Sequence, residues 1–328
     1  MFRMVKYVGA ALALTFCVSN GAAADAMKLG VVTPAKQAWT LESVKFAEAV
    51  GAATEGRHTV EVFHSGQLGN QSEMFRQLQT GTLDFALIAV SELANRVQEF
   101  NKLLAPGLVQ SNEHAAKFLM EAKTPTDLLA LLETRAGVKG LAYGMAGVTQ
   151  VMANFDAASP ADMKGKRVRI TPSPAILDFN KIIGSAPIPI PLPGVYDAFA
   201  NGQVDALETN LDIMRVLKIA DHAKTLLISN QGLFPAVVLV SLRRWKTLSP
   251  EDQEVIAGLA ADFGKGTITS TLEAEEKSMA YFEGLDGLKI VHVKPDDYVE
   301  LQKEWDAVWS EKVDGIAEMR AEAAALAE

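Results

Sequence analysis

The sequence has a single cysteine, Cys17, among its 328 residues, so neither a disulfide framework nor a cysteine-rich zinc site is available to the fold. Its five histidines, at 58, 64, 114, 222 and 292, show no metal-ligand spacing. A dinucleotide glycine fingerprint and a GxSxG elbow are also absent. These absences remove the commonest α/β enzyme classes that a sequence reveals, and we expect no metal and no cofactor.

Positive charge is also in short supply. The chain has 31 Lys and Arg against 40 Asp and Glu, a formal net charge of −9, and its basic residues are scattered. The sequence therefore predicts no continuous basic surface for a phosphate backbone, which argues against nucleic acid as a partner.

The amino terminus lacks an apolar run of the ~20 residues that a bilayer-spanning helix needs. Instead, Arg3 and Lys6 precede the shorter apolar stretch YVGAALALTFCV, and the small residues 22–24 follow at cleavage spacing. This pattern predicts a signal peptide over residues 1–24. Its removal leaves a secreted chain without cysteine.

The length fits two domains of ordinary size. Apolar runs of strand length alternate with segments that have helical periodicity, which is typical of parallel sheets covered by helices. The strand candidates are MKLGVVTP, HTVEVFHSGQLG, LDFALIAV, GLAYGM, KRVRI and APIPI, and the helix candidates are LESVKFAEAVGAAT, SEMFRQLQTG, AILDFNKII and VYDAFANG. The fold class is therefore α/β, with two units of similar design.

Three segments carry a hydroxyl before a proline and an aspartate three residues after that hydroxyl: Ser159–Asp162, Ser249–Asp252 and Thr124–Asp127. Each is expected to cap and start a helix. From Pro250 onward the chain is predicted to be mainly helical, apart from a strand at 288–293. Trp305 and Trp309 lie one turn apart, which favours core packing.

Two arginines occupy alternate positions of the strand candidate KRVRI, so Arg167 and Arg169 share one face while Val168 and Ile170 share the other. This predicts a half-buried strand. Arg169 lies nearer the carboxyl end, where open α/β sheets bind ligands. From these residues alone, a ligand anchor and a salt bridge at a strand edge remain equally good interpretations of Arg169.

Asp205 and Glu208 form the one arrangement that suggests catalysis, because on a helix residues three apart share a side. They equally fit a helix end that leads into a strand. A secreted, cofactor-free α/β enzyme that uses this pair is therefore kept as an alternative.

Three segments together resemble the solute-binding subunits of tripartite ATP-independent periplasmic (TRAP) transporters, the dicarboxylate-binding-protein-like family. They are SGQLGNQSEMFRQLQTGTLDFALI (65–88), SPADMKGKRVRITPSP (159–174) and APIPIPLPGVYDAFANGQVDALETN (186–210). Their order and distances are those of the family, and the resemblance covers essentially the whole chain after the signal peptide.

The resemblance implies a two-lobed fold with mixed, mostly parallel sheets, crossing strands and a long connecting helix. Lobe I would comprise residues 25–146 and about 235–274, and lobe II about 147–234 and 275–328. The nearly invariant arginine of the family's KGxKxR segment corresponds to Arg169, which would hold a ligand carboxylate through two parallel hydrogen bonds.

Departures from the family's sialic-acid binders indicate a different ligand. Their second arginine corresponds to Thr149, their glutamate after the LDF strand to Ala89, and an arginine three residues later to Glu92. Their aromatic residue before the VY helix is Leu192, and their asparagine is Thr209 with Asn210 beside it. Losing polar partners suggests a smaller or more apolar carboxylate, because an unpaired buried polar group costs roughly 1–3 kcal/mol.

Three further residues are candidates for the cleft between the lobes. Thr33 and Trp39 lie in the loop after the first strand, and Gln71 lies near a helix start, where backbone N–H groups favour polar ligand atoms.

The resemblance implies a periplasmic receptor, not an enzyme, that binds a small organic acid and delivers it to TRAP membrane permease subunits. We expect a monomer. The alternative within binding proteins is a sensor that presents the closed lobes to a membrane receptor.

Overall fold

The structure is a computed structural model that describes residues 25–327; the predicted signal peptide and Cys17 lie outside the described residues. The strands are β1 (Asp25–Gly30), β2 (His58–Phe63), β3 (Phe85–Ala89), β4 (Val138–Val148), β5 (Gln150–Ala153), β6 (Arg167–Ile170), β7 (Ala186–Pro189), β8 (Ala206–Thr209), β9 (Thr225–Ile228), β10 (Leu233–Ser241) and β11 (Lys289–His292). The helices are α1 (Ala38–Ala53), α2 (Gln71–Thr80), α3 (Val90–Ala94), α4 (Asn112–Glu121), α5 (Lys123–Leu131), α6 (Pro174–Ile183), α7 (Val195–Ala200), α8 (Leu211–Val216), α9 (Leu242–Trp245), α10 (Pro250–Glu283), α11 (Val299–Ser310) and α12 (Ile316–Ala325).

The strands form two sheets, which confirms the α/β prediction. The first sheet has the order β2-β1-β3-β10-β4, and the second has the order β11-β9-β5-β8-β6-β7. Among the described strands, five pairings are parallel and four are antiparallel, and every antiparallel pairing involves β10 or β5. Both strands lie where the chain crosses between the sheets. We call the first sheet and its helices lobe I, and the second sheet and its helices lobe II.

The predicted helix caps are confirmed at two of three positions. The Ser249 side chain accepts the Asp252 N–H at 3.1 Å and starts α10, and Ser159 forms a capping box with Asp162 at a short 3-10 turn. The third prediction is wrong, because α5 begins at Lys123 and Thr124 lies inside it. The Thr124 N–H donates to Glu322 Oε2 at 2.9 Å, so a carboxylate distant in sequence supplies the cap.

The carboxyl-terminal helices join the two lobes. Trp305 and Trp309 are buried and stacked with ring centroids 5.4 Å apart, which confirms their predicted core packing. Trp305 Nε1 donates to the Ala175 carbonyl of lobe II at 3.0 Å. The last helix, α12, belongs to the 275–328 segment expected in lobe II, yet it contacts α4 and α5 of lobe I. Across residues 25–327, no helix is both long and apolar enough to cross a bilayer.

The connecting helix α10 holds the start of α8 through a buried carboxyl group. Glu275 accepts the backbone N–H groups of Leu211 at 3.3 Å and Asp212 at 2.8 Å. Burial, the largest cause, raises the pKa of Glu275 to about 8. The carboxyl group is therefore mainly protonated at neutral pH, and it ties the long helix to the segment of lobe II that follows β8.

We predict that Glu275 makes the folded protein less stable as pH rises. The unfolded chain releases this proton near the ordinary pKa of 4.5, whereas the folded chain keeps it until about 8. The free energy of unfolding therefore decreases as pH rises from about 4.5 to about 8. Above pH 8 the contribution of Glu275 no longer changes with pH. In denaturant titrations from pH 5 to pH 8, Glu275→Gln should lose less stability than the wild type, and Glu276→Gln, at an exposed neighbouring position, should follow the wild type. Equal pH dependence in all three proteins would contradict this assignment.

Candidate functional site

A cavity of about 280 Å³ lies between the lobes, at the carboxyl ends of β1, β3, β6 and β8. This is the edge at which α/β sheets bind ligands. Its walls come from both lobes: Val32, Thr33, Gln37, Trp39, Asn70, Gln71, Ser72, Ser91, Glu92, Asn95, Ala146 and Phe234 on one side, and Arg169, Thr171, Pro172, Pro191, Leu192, Pro193, Thr209, Asn210 and Ile213 on the other.

Arg169 is the buried cation of this cavity. Arg169 is 2% exposed and lies on β6, the strand that pairs with β7 on one side and β8 on the other. Nε donates to the Ile190 carbonyl at 2.9 Å and Nη1 to the Glu208 carbonyl at 3.0 Å. Within residues 25–327, Nη2 makes no hydrogen bond and the guanidinium forms no ion pair. Two backbone carbonyls thus orient a charge that nothing in this part of the chain neutralises by direct contact.

The charge state of Arg169 follows from its burial. Desolvation lowers the pKa of the guanidinium to about 10, partly offset by the negative charge of Glu208. The group stays protonated at neutral pH and is a stronger hydrogen-bond donor to an anion than a neutral group would be.

The strand that carries Arg169 is more buried than its sequence predicts. Val168, Arg169 and Ile170 are all buried, so the expected half-buried strand is wrong except at Arg167. The Arg167 guanidinium lies at the strand start and pairs with Asp205, with Nη2 to Oδ1 at 2.6 Å. The salt bridge considered for Arg169 is therefore formed by Arg167.

The two carboxylates that the sequence offers as an acid and base are separated in the structure. Asp205 immediately precedes β8 and pairs with Arg167 near the surface, whereas Glu208 lies within the strand, so the helical spacing assumed for them does not exist. Glu208 Oε2 accepts from Asn180 Nδ2 at 3.2 Å and Gln231 Nε2 at 2.5 Å. Burial raises the pKa of Glu208 to about 7. Neither carboxylate lines the cavity.

Most of the residues predicted from the sequence meet at this cavity. Those that line it are Arg169, Thr209, Asn210, Leu192, Gln71, Trp39 and Thr33. Ala89 and Thr149 do not line it. The Ala89 N–H donates to Gln71 Oε1 at 2.6 Å, and the Thr149 N–H donates to the Gly232 carbonyl at 2.7 Å in the crossing segment.

Two of the predicted residues use their polar atoms to build the cavity wall. Trp39 Nε1 donates to the Met145 carbonyl at 2.8 Å, and Asn210 Nδ2 donates to the Ala146 carbonyl at 2.6 Å. Because Met145 and Ala146 are adjacent on β4, these bonds fasten both lobes to one crossing strand.

Glu92 is the acidic residue among the lining residues to which the sequence assigned no binding role, because it appears there only as a departure from an arginine of the sialic-acid binders. It lies on α3, directly after β3, and is 8% exposed. Arg96 Nε and Nη2 donate to its Oε1 at 3.2 and 3.1 Å. A carboxylate two residues after the buried LDFALIAV run was the available signal, because that position falls at the ligand-binding edge of the sheet.

The lobes contact each other beside the cavity. Asn95 Nδ2 of lobe I donates to the Pro172 carbonyl of lobe II at 3.3 Å. The Ala175 N–H of lobe II donates to Asn101 Oδ1 of lobe I at 3.2 Å. These contacts describe lobes closed over the cavity.

Two α/β lobes closed around a cavity with a buried guanidinium define a solute-binding protein. The chain belongs to the family described as bacterial extracellular solute-binding protein, family 7 (DctP), whose profile matches residues 29–314. This family of extracellular solute-binding proteins agrees with the class of protein that the sequence resemblance implied.

Comparison with individual proteins agrees with this family. The chain is 28% identical to the 2,3-diketo-L-gulonate-binding periplasmic protein of Escherichia coli over 288 residues, 88% of this chain and 85% of the relative. A TRAP periplasmic solute-binding protein of Shewanella oneidensis with bound succinate superposes with a TM-score of 0.87 at 20% identity, covering 93% of this chain and 100% of that one. The sugar acid binding protein of Advenella mimigardefordensis in complex with galactonate gives 0.86 at 21% identity, with coverages of 92% and 99%.

We predict that the Asn95–Pro172 hydrogen bond contributes to ligand affinity by stabilising the closed lobes. Asn95→Ala should lower the affinity for every ligand by the same factor, up to about tenfold, because one neutral hydrogen bond contributes about 0.5–1.5 kcal/mol. Calorimetric titration of two different ligands measures this, with Asn201→Ala, an exposed asparagine of lobe II, as the control. An effect on one ligand alone would place Asn95 in direct ligand contact instead.

Proposed function

We propose that this protein binds an organic acid between its lobes, with the ligand carboxylate on Arg169. The observation that carries the proposal is the Nη2 group of a buried guanidinium, which has no hydrogen-bond partner in the described chain although Nε and Nη1 are both held. A carboxylate entering the cavity supplies the missing acceptor and the missing negative charge together.

Ligand chemistry in similar proteins supports an acid. The E. coli relative is named for 2,3-diketo-L-gulonate, and the two solved structures hold succinate and galactonate. All three ligands are carboxylates. In this chain the remaining wall is largely apolar, with Trp39, Leu192 and Phe234 among its members, which suits a small ligand with few charged groups.

Closure would follow from contacts that the ligand makes with both lobes. A ligand that touches Arg169 of lobe II and the loops of lobe I stabilises the closed state by its differential affinity for that state. The closed receptor then presents its ligand to a membrane permease. Secretion through a signal peptide over residues 1–24 would place this cycle in the periplasm, where the protein acts as a monomer without nucleic acid.

The proposal excludes covalent chemistry on the ligand. Asp205 is neutralised by Arg167, and Glu208 lies behind the cavity wall. Incubating the protein with an acid that it binds and then analysing the solution by mass spectrometry tests this point, because a receptor returns the ligand unaltered and an enzyme makes product. Permease genes beside this gene would favour transport over the alternative role as a sensor.

We predict that Arg169→Lys lowers affinity for carboxylates about tenfold to a hundredfold. Lysine keeps the charge but loses the planar fork, and a hydrogen bond to a charged group contributes about 1.5–3 kcal/mol. Arg167→Lys on the same strand should bind as the wild type does, since Arg167 pairs with Asp205 outside the cavity. Calorimetry gives the affinities, and thermal unfolding verifies that both variants are folded. Wild-type affinity in Arg169→Lys would refute the anchor.

A further inference from the structure

The lobe I side of the cavity offers a second charged group, whose chemistry is opposite to that of Arg169. Both hydrogen bonds to the Glu92 carboxylate end on Oε1. Oε2 makes no hydrogen bond within residues 25–327, and it is not among the fully enclosed unpartnered atoms of the described chain. One carboxylate oxygen in the cavity wall is therefore an open acceptor.

Arg96 fixes this carboxylate and neutralises it. Arg96 Nη2 also donates to Ser72 Oγ at 2.9 Å, and the guanidinium lies 5.3 Å from the centre of the Phe75 ring. These contacts hold Arg96 and thereby orient Glu92. Because the pair already has no net charge, the open oxygen does not require a cationic ligand group, and a neutral hydrogen-bond donor is sufficient.

The neighbours of Glu92 suit hydroxyl groups. The Gln71 Oε1 atom is engaged by the Ala89 N–H, while its Nε2 has no partner in the described chain. The Ser91 hydroxyl, beside Glu92 in the sequence and also in the cavity wall, makes no hydrogen bond there either. A ligand hydroxyl donates one hydrogen bond and accepts others, so it can satisfy the carboxylate oxygen and an amide N–H together.

We infer that Glu92 is a specificity-determining residue, which selects acids that carry one carboxylate for Arg169 and hydroxyl groups for the lobe I wall. This inference rests on the proposed function. A second ionised carboxylate at this wall has no hydrogen-bond donor to offer the Oε2 acceptor of Glu92, and an unsubstituted alkyl chain leaves Oε2 without a hydrogen-bond partner after closure. The ligand class is therefore hydroxylated monocarboxylates, of which aldonates are the simplest polyhydroxy examples.

Three panels of acids with four to six carbons test the inference by calorimetry on the mature protein. They are aldonates, dicarboxylates including glucarate, and unsubstituted monocarboxylates such as hexanoate. The tightest binder should be an aldonate, and glucarate should bind more weakly than gluconate, which differs from it at one end only. A dicarboxylate or an unsubstituted acid as the tightest binder would overturn the inference.

The variant Glu92→Gln separates specificity from folding. It should lower the affinity for the best-binding aldonate at least about tenfold. The affinities for dicarboxylates should approach or exceed that affinity, because Arg96 then loses its negative partner. Glu48→Gln, at an exposed position of lobe I, should keep the wild-type ranking of acids. A merely structural role of Glu92 would lower all affinities or the unfolding temperature without changing that ranking.

The outcomes also distinguish this inference from the proposed function. If acids bind through Arg169 but Glu92→Gln preserves their ranking, the inference fails and the anchor stands. If no acid of the three panels binds the wild type, both fail.

Discussion

A guanidinium buried without a carboxylate contact is the constraint on which this site depends. Backbone carbonyls of Ile190 and Glu208 fix the direction of Arg169 without cancelling its charge. Such a charge is costly in a low-dielectric interior, and desolvation accordingly lowers the guanidinium pKa to about 10. The two carbonyl hydrogen bonds offset part of this cost, and Nη2 of this cavity-lining residue keeps its hydrogen-bonding capacity.

The crossing strand β4 accepts hydrogen bonds from both lobes beside the cavity. The Met145 carbonyl accepts from Trp39 of lobe I and from Thr271 of α10, and the adjacent Ala146 carbonyl accepts from Asn210 of lobe II. Glu275 adds a link from α10 to the residues after Asn210. Both lobes and the connecting helix are therefore hydrogen-bonded to the same two neighbouring residues of β4.

Sequence patterns predicted the structural features that depend on neighbouring residues. They failed for features that depend on contacts between distant segments. Strand and helix alternation, the Ser249 cap and the buried Trp305–Trp309 pair follow from periodicity and capping chemistry. The start of α5 does not, because its cap comes from Glu322. At the site, the resemblance identified Arg169, but Thr149 and Ala89 lie outside the cavity and Glu92 lies in its wall. Whether Thr149 and Ala89 reach the cavity depends on how two lobes meet, which no local pattern encodes, whereas the place of Glu92 after a buried strand was a local signal.

If Arg169 is the anchor, a ligand carboxylate takes the open position on its guanidinium. A crystal structure of the mature protein with the acid that raises its unfolding temperature most tests this directly. We expect a carboxylate oxygen within hydrogen-bond distance of Arg169 Nη2, with Nε and Nη1 still bonded to the carbonyls of Ile190 and Glu208. A ligand bound in the cavity with its carboxylate on other groups, and Arg169 in contact only with backbone, would contradict it.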